Sequence, residues 1–162
     1  MTARRRPVVQ PTTREVLDGL DGRFVVVHDA VVAGTRAGID HLVAGPPGVF
    51  SVDVKRYRWP VRAAGGELRS GDFPLSGALE TIRWVAERAS ADLAAAGRHT
   101  PRIHPVLCLE GAALPRRTLV HHGVRVVDPP RLAALLERGP QVLDAASVDA
   151  VADVARRLFG SP

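Results

Sequence analysis

Ile39-Asp40-His41-Leu42-Val43-Ala44-Gly45-Pro46-Pro47-Gly48-Val49-Phe50-Ser51-Val52-Asp53-Val54-Lys55-Arg56-Tyr57 is the stretch that decides the fold. Two apolar, β-branched runs flank Gly45-Pro46-Pro47-Gly48, and glycine with proline at that density marks a turn. The pattern predicts a hairpin with strands over 39–44 and 49–55. Symmetric pairing about Pro46-Pro47 sets Asp40 opposite Asp53. Side chains opposed in an antiparallel pair lie about 5 Å apart at Cβ and share a face. Lys55, two residues beyond Asp53, shares that face too. The other face carries Ile39, Val43, Phe50, Val52 and Val54 and is expected to be the core face. His41 falls on it and is expected as a satisfied core residue rather than a ligand.

Two opposed carboxylates repel and weaken the hairpin, and a divalent cation between them reverses the sign. Magnesium is held by one or two carboxylates together with waters and substrate oxygens, which is what Asp40 and Asp53 offer, with the Val54 carbonyl as a further donor. The chain has 22 lysine and arginine residues, of which only Lys55 is lysine. A lysine ammonium is compact and suits a point contact with a water or a phosphate oxygen. Two aspartates and a lysine in this arrangement make a candidate site for metal-dependent phosphodiester cleavage. The competing account is a solvated strand end with a surface salt bridge, in a chain whose arginine excess reflects codon composition. Arg56, Arg58 and Arg62 follow the site and could hold flanking phosphates. Tyr57 and Trp59 interleave with them and could stack on a base or pack against a helix.

Outward from the hairpin, Thr12 or Thr13 caps a short first helix carrying Glu15, Val16, Leu17 and Leu20. Phe24–Val27 and Val31-Val32 predict a first strand interrupted at His28-Asp29. Val61–Arg69, broken by Gly65-Gly66, predicts a small hairpin or an extension of the sheet. Leu79, Ile82, Ala86, Ala89, Leu93 and Ala96 step by three and four, which predicts a helix over 76–96 that Gly97 ends. His104–Leu109 and Val124–Val127 predict two more strands. Pro129-Pro130 opens a third helix, and Ser147 is expected to cap a last one. The order predicts an α/β protein whose mixed sheet is flanked by helices.

The length suits one domain, assigned to residues 12–160, behind a basic tail over 1–11 that is expected to be flexible. Hydrophobic residues make up 46% and charged residues 24%, the balance of a soluble globular chain. The net charge of +5 allows an anionic partner. No apolar run reaches the roughly 18 residues that cross a bilayer, and no apolar segment follows Arg4-Arg5-Arg6, so neither a membrane span nor a secretory signal is expected. One cysteine, Cys108, cannot form an internal disulfide. It lies in an apolar strand, so a core thiol and a reducing, cytoplasmic setting are expected.

The stretch from Ile39 to Tyr57 resembles the central motif of NERD, or nuclease-related, domains. These combine an Ile-Asp-His strand, a Gly-Pro turn, a Gly-Val/Ile-Phe strand and an acid-x-Lys-x-Tyr ending. Phe73-Pro74-Leu75 resembles the Asn-Pro-Leu that opens the family's second helix, and Pro105–Leu109 with Gly111 its fourth strand. The resemblance implies a restriction-endonuclease-like (PD-(D/E)xK) fold, an αβββαβ core plus C-terminal helices. It also implies magnesium- or manganese-dependent DNA cleavage. Asp40 and Asp53 would be metal ligands, Lys55 the catalytic lysine, and Glu15 would match the acid that many such nucleases carry on the first helix. Arg56, Tyr57, Arg58 and Arg62 are the candidate nucleic-acid contacts, and a homodimer is left open. The chain departs from the family at three places. Asp53 stands where glutamate is commoner, Trp59-Pro60 replaces a glycine, and the first turn of the second helix lacks the usual glutamine. The alternative function is a weakly active or inactive nucleic-acid-binding module of the same fold.

Overall fold

The computed structural model describes residues 9–97 and 101–161. The expected basic tail lies mostly outside these residues. Helix α1 (Thr13–Asp18) precedes strands β1 (Val25–Ala30), β2 (Ile39–Gly45) and β3 (Gly48–Arg56). A small arm follows, of β4 (Val61–Ala64), β5 (Glu67–Ser70) and β6 (Phe73–Pro74). Helix α2 (Ser76–Ala96) leads to β7 (Ile103–Glu110), β8 (Leu119–His121) and β9 (Val124–Val127), and α3 (Pro129–Glu137) and α4 (Ala145–Phe159) complete the chain. The main sheet has six strands in the order β1-β2-β3-β7-β9-β8. β1, β2 and β3 pair antiparallel, β3, β7 and β9 run parallel, and β8 returns antiparallel to β9. This mixed sheet with helices on both faces is a restriction-endonuclease-like architecture.

The hairpin register is the expected one, from Gly45 opposite Gly48 to His41 opposite Val52. Gly48 has φ +131°, which a residue with a Cβ rarely adopts. At Gly45 the constraint is space, because a Cβ there would overlap the buried Phe24 ring. The Pro46 carbonyl accepts from the Val142 and Leu143 amides at 2.7 and 2.9 Å, which ties the turn to the segment before α4. Gly45→Ala is therefore expected to destabilise the fold by about 1–3 kcal/mol through overpacking, measured as a lower urea midpoint at unchanged slope.

Both faces of the hairpin are core, not one. Val43, Phe50 and Val52 join Leu17 of α1 and Leu132 and Leu136 of α3 on one side. Leu42, Ala44 and Val49 join Val85, Ala89 and Leu93 of α2 and Val151 and Phe159 of α4 on the other. A sheet covered twice needs apolar residues at nearly every strand position, so strict alternation fades. Ile39 lies with the α2 side rather than with Val43.

Three features differ from expectation: the run of β1, two added strands and the cap of the last helix. β1 runs through His28 and Asp29, because His28 pairs with His41 and Ala30 with Ile39; Asp29 absorbs the distortion at φ +51°. Of the two expectations for Val61–Arg69 the small hairpin holds, and it forms a three-stranded sheet of its own with β6. β6 and β8 are added strands of two and three residues. The last helix is capped by Asp144, whose carboxylate accepts from the Ser147 amide at 2.7 Å, so Ser147 lies inside the helix rather than at its cap. The second helix spans Ser76–Ala96 with Gly97 as its C-cap, as predicted.

Candidate active site

Asp53 and Lys55 stand near the C-terminal end of β3, which runs parallel to β7. In open α/β sheets this is where ligands bind. In the β3–β7 register Asp53 lies beside Leu107 and Lys55 beside Leu109. Leu107 and Leu109 belong to the cluster under Leu79 and Ile82 of α2. Asp53 thus points to the α2 side of the sheet.

Lys55 Nζ lies 2.9 Å from Asp53 Oδ2. The contact is an ion pair without hydrogen-bond alignment, and Asp53 Oδ2 is buried with no hydrogen-bond partner. Burial raises the Asp53 carboxyl above the usual carboxylate range. The contact with Lys55 pulls it down, and the charge of Asp40 adds to the rise. Burial works to lower the Lys55 ammonium, but the contact with Asp53 and the charges of Asp53 and Asp40 win, so its pKa lies above the ordinary lysine value. Lys55 is a cation at neutral pH and cannot serve there as a base.

Asp40 sits one residue beyond His41, the last position at which β2 pairs with β3. Its Oδ2 accepts from the Val54 amide at 2.7 Å. The side chain therefore has a structural job, continuing the hairpin where the backbone ladder stops, and keeps lone pairs for another ligand. The hairpin brings Asp40, Asp53 and Lys55 together.

Glu15 does not join them. Its carboxylate accepts from the Thr12 amide at 2.7 Å while Thr12 Oγ1 accepts from the Glu15 amide, closing a capping box. Helix α1 packs through Leu17 on the opposite face of the sheet from Asp53. Among the described residues no group of three or more His, Cys, Asp or Glu side chains is placed to hold a metal. The candidate centre is a two-carboxylate one.

The sequence reading missed Ser51. Its Oγ is buried without a partner, like Asp53 Oδ2, and both residues line a cavity of about 30 Å³ closed by Thr81, Ile82 and Val85 of α2. That space suits one water or one small ion. The signal was present: Ser51 is a polar residue two positions before Asp53 in an otherwise apolar strand, hence on the same face.

The candidate nucleic-acid residues separate into two kinds. Arg56 Nη2 lies 2.9 Å from Glu110 Oε2, and Glu110 also accepts from the Thr13 amide at 2.8 Å. Burial raises the Glu110 carboxyl, but the bonds from Thr13 and Arg56 outweigh it and hold it below its ordinary value. Arg56 is thus anchored by a residue the sequence reading had not singled out. Tyr57 packs beside the α2-side cluster with Ala112 and Leu114. Arg58 lies over the Trp59 ring, 5.9 Å from its centroid, and Arg62 is exposed on β4. Arg56, Tyr57 and Arg58 line a groove of about 770 Å³ with Gln10, Thr12 and Glu110.

His41 is buried but not alone. Its Nδ1 lies 2.8 Å from Nδ1 of His28, and burial first, then the His28 charge, lowers its pKa. Burial pushes the Cys108 thiol up to about 12, and Thr13 Oγ1 bonds its sulfur at 3.2 Å. Such a thiol is a core group, not a nucleophile. Among the described residues no helix is long and apolar enough to cross a membrane.

No curated protein and no solved structure matches the chain. The sequence model of the nuclease-related domain, NERD, matches residues 12–110, more than half of the chain, with Asp40, Asp53 and Lys55 among them. The chain belongs to the nuclease-related domain family.

Proposed function

We propose that this protein hydrolyses DNA phosphodiester bonds with a divalent cation, magnesium or manganese, held by Asp40 and Asp53. The observation that carries the reading is Asp53 Oδ2. It is a buried carboxylate oxygen whose close polar contact is the ammonium of the only lysine of the chain, at 2.9 Å, and its pKa is raised by burial and by Asp40 against the pull of Lys55. The Lys55 ammonium offsets its charge, and the lone pairs it leaves free are open to a cation. Two carboxylates with open lone pairs fit a magnesium ion that takes its remaining ligands from water and substrate. Such an ion supplies Lewis-acid stabilisation at the phosphate and a more acidic bound water.

The protein's own groups do the rest. Asp40 holds the end of the hairpin through the Val54 amide, with its charge close enough to act on Asp53. Lys55, held as an ammonium, places a fixed positive charge where negative charge builds on the phosphate oxygens. It acts through charge and hydrogen bonding and takes no proton from water. Arg58 and Arg62 are available for flanking phosphates, which position a strand without reading its sequence. Arg56, anchored by Glu110, is a fixed positive edge of the groove.

The test is incubation with plasmid and with single-stranded DNA, with and without manganese, alongside Lys55→Ala. Metal-dependent cleavage that Lys55→Ala loses is the expected outcome. DNA binding without cleavage under every metal condition would instead favour a binding module, the reading that the missing glutamine of α2 supports.

A further inference from the structure

We infer that the β4–β6 arm carries a binding groove for an unpaired nucleotide, with Trp59 as the stacking platform and Arg62 and Arg69 as the phosphate clamp. The inference deepens the nuclease reading and rests on it only for the polarity of the ligand. Trp59 is 58% exposed. It borders a groove of about 310 Å³ with Pro60, Arg62, Arg69, Gly71 and Asp72. The indole is held in place rather than loose. The Trp59 carbonyl accepts from Ser70 Oγ at 2.7 Å. The ring lies against Gly71, where a Cβ would come within 3.1 Å of it, and Gly71 has φ +58°, a conformation that favours glycine. A tryptophan backed on one side by backbone and open to solvent is a preset surface for a planar base.

Charge gives the second, independent observation. Arg62 on β4 pairs directly with Arg69 on β5. Like charges directly opposed across an antiparallel pair destabilise it, and an anion between them reverses the sign. Both arginines line the same groove as Trp59. Acidic groups temper the site without cancelling it. Arg69 Nη1 lies 3.6 Å from Glu67 Oε2, its Nη2 donates to the Asp72 carbonyl, and Asp72 borders the groove. The Arg58 guanidinium carbon lies 5.9 Å from the Trp59 ring centroid, so an incoming base shares the indole with a mobile cation that it stacks beside or displaces. An indole and two opposed guanidinium groups match the two parts of a nucleotide, a flat base and a phosphate.

Placement relates the groove to the cleavage site. The arm is fixed to the domain by buried Val61 and Leu68 and by the Val61 amide donating to the Ala113 carbonyl at 2.9 Å. Trp59 is four residues after Lys55, so their Cα atoms lie within about 14 Å. A strand whose scissile phosphate is at Lys55 can reach the groove within a few nucleotides. A paired base is already stacked and cannot lie on Trp59, so the groove selects unpaired or frayed strands.

The test uses binding alone, in EDTA, so that cleavage plays no part. Trp84→Phe leaves Trp59 as the only tryptophan of a chain that has two. Titration with a short oligothymidylate is expected to quench its fluorescence saturably. Trp59→Ala should weaken binding of the labelled oligonucleotide about tenfold, while Trp59→Phe keeps most of it. Arg62→Ala and Arg69→Ala should each weaken binding and flatten its salt dependence, as expected when one phosphate contact is lost. An unquenched Trp59, equal affinity for Trp59→Ala, or quenching by duplex but not by the single strand would overturn the inference. Quenching in a protein that never cleaves DNA would overturn the nuclease reading and leave the groove standing. Cleavage with an unquenched Trp59 would do the reverse.

Discussion

Lys55→Arg is expected to lower single-turnover DNA cleavage about 10²- to 10³-fold, nearly as far as Lys55→Ala, while DNA binding survives in both. The chain itself motivates the first half. It uses arginine at every basic position but one, so a position that needed only positive charge would be served by arginine. Lys55 Nζ meets Asp53 Oδ2 at 2.9 Å. A guanidinium is planar and larger, and in the same space it would span the carboxylate, where the compact ammonium touches one oxygen and leaves lone pairs for a cation. The raised pKa of Lys55 sharpens the expectation, because a lysine held as an ammonium contributes charge and donors. Deprotonating Lys55 should therefore leave no limb in the pH–rate profile near neutrality. Binding should survive because contacts from several arginines to phosphates dominate affinity. Near wild-type cleavage by Lys55→Arg would sink the claim that this lysine was kept for its chemistry.

The fold and the meeting of Asp40, Asp53 and Lys55 were legible because they rest on short-range rules. A two-residue turn with proline and glycine fixes register, and that register, carried one pair beyond His41 and Val52, sets Asp40 opposite Asp53. The stripe of α2 has a single period over twenty-one residues, so its ends were legible too. β6 and β8, at two and three residues, are too short to show any period. His28-Asp29 read as a break because polar residues interrupted an apolar run, yet the two histidines satisfy each other across the strands. Asp144 was overlooked in favour of Ser147, although a charged acceptor at the N-cap is the better partner for a helix N-terminus. Glu15 shows a different failure. Thr12-x-x-Glu15 is capping-box grammar, readable without any fold, and the family's helix-borne acid was laid over it. Ser51 left a trace in the sequence, a polar residue in phase with Asp53, but the cavity it lines was not legible, because only the packing of α2 onto β3 closes it.

Manganese or magnesium is expected to raise the melting temperature of the wild-type protein and not of Asp53→Asn. A ligand present at one hundred times its dissociation constant adds about 2.7 kcal/mol to the native state. For a chain of this size that corresponds to roughly 5–10 °C. The electrostatics of Asp53 give the sign of the pH dependence. Burial first, and then the charge of Asp40, raise its carboxyl above the ordinary value. A carboxyl raised in the folded state stabilises the fold when protonated, and that contribution is lost as pH rises from its unfolded value, about 3.9, through its folded one. Without metal, ionised Asp53 thus weighs against the fold at neutral pH. With metal the ionised form is the binding form, so proton and cation compete for the same oxygen. The metal-induced shift should be full above the folded-state pKa of Asp53 and fade as pH falls through it. Asp53→Asn removes the negative charge and one strong oxygen ligand, which leaves Asp40 alone and already bonded to the Val54 amide. Differential scanning fluorimetry of both proteins across pH, with and without manganese, measures each part. Equal shifts in wild type and Asp53→Asn would place the metal elsewhere. A shift that grows towards acid pH would show that Asp53 is not the group with which the cation competes for a proton.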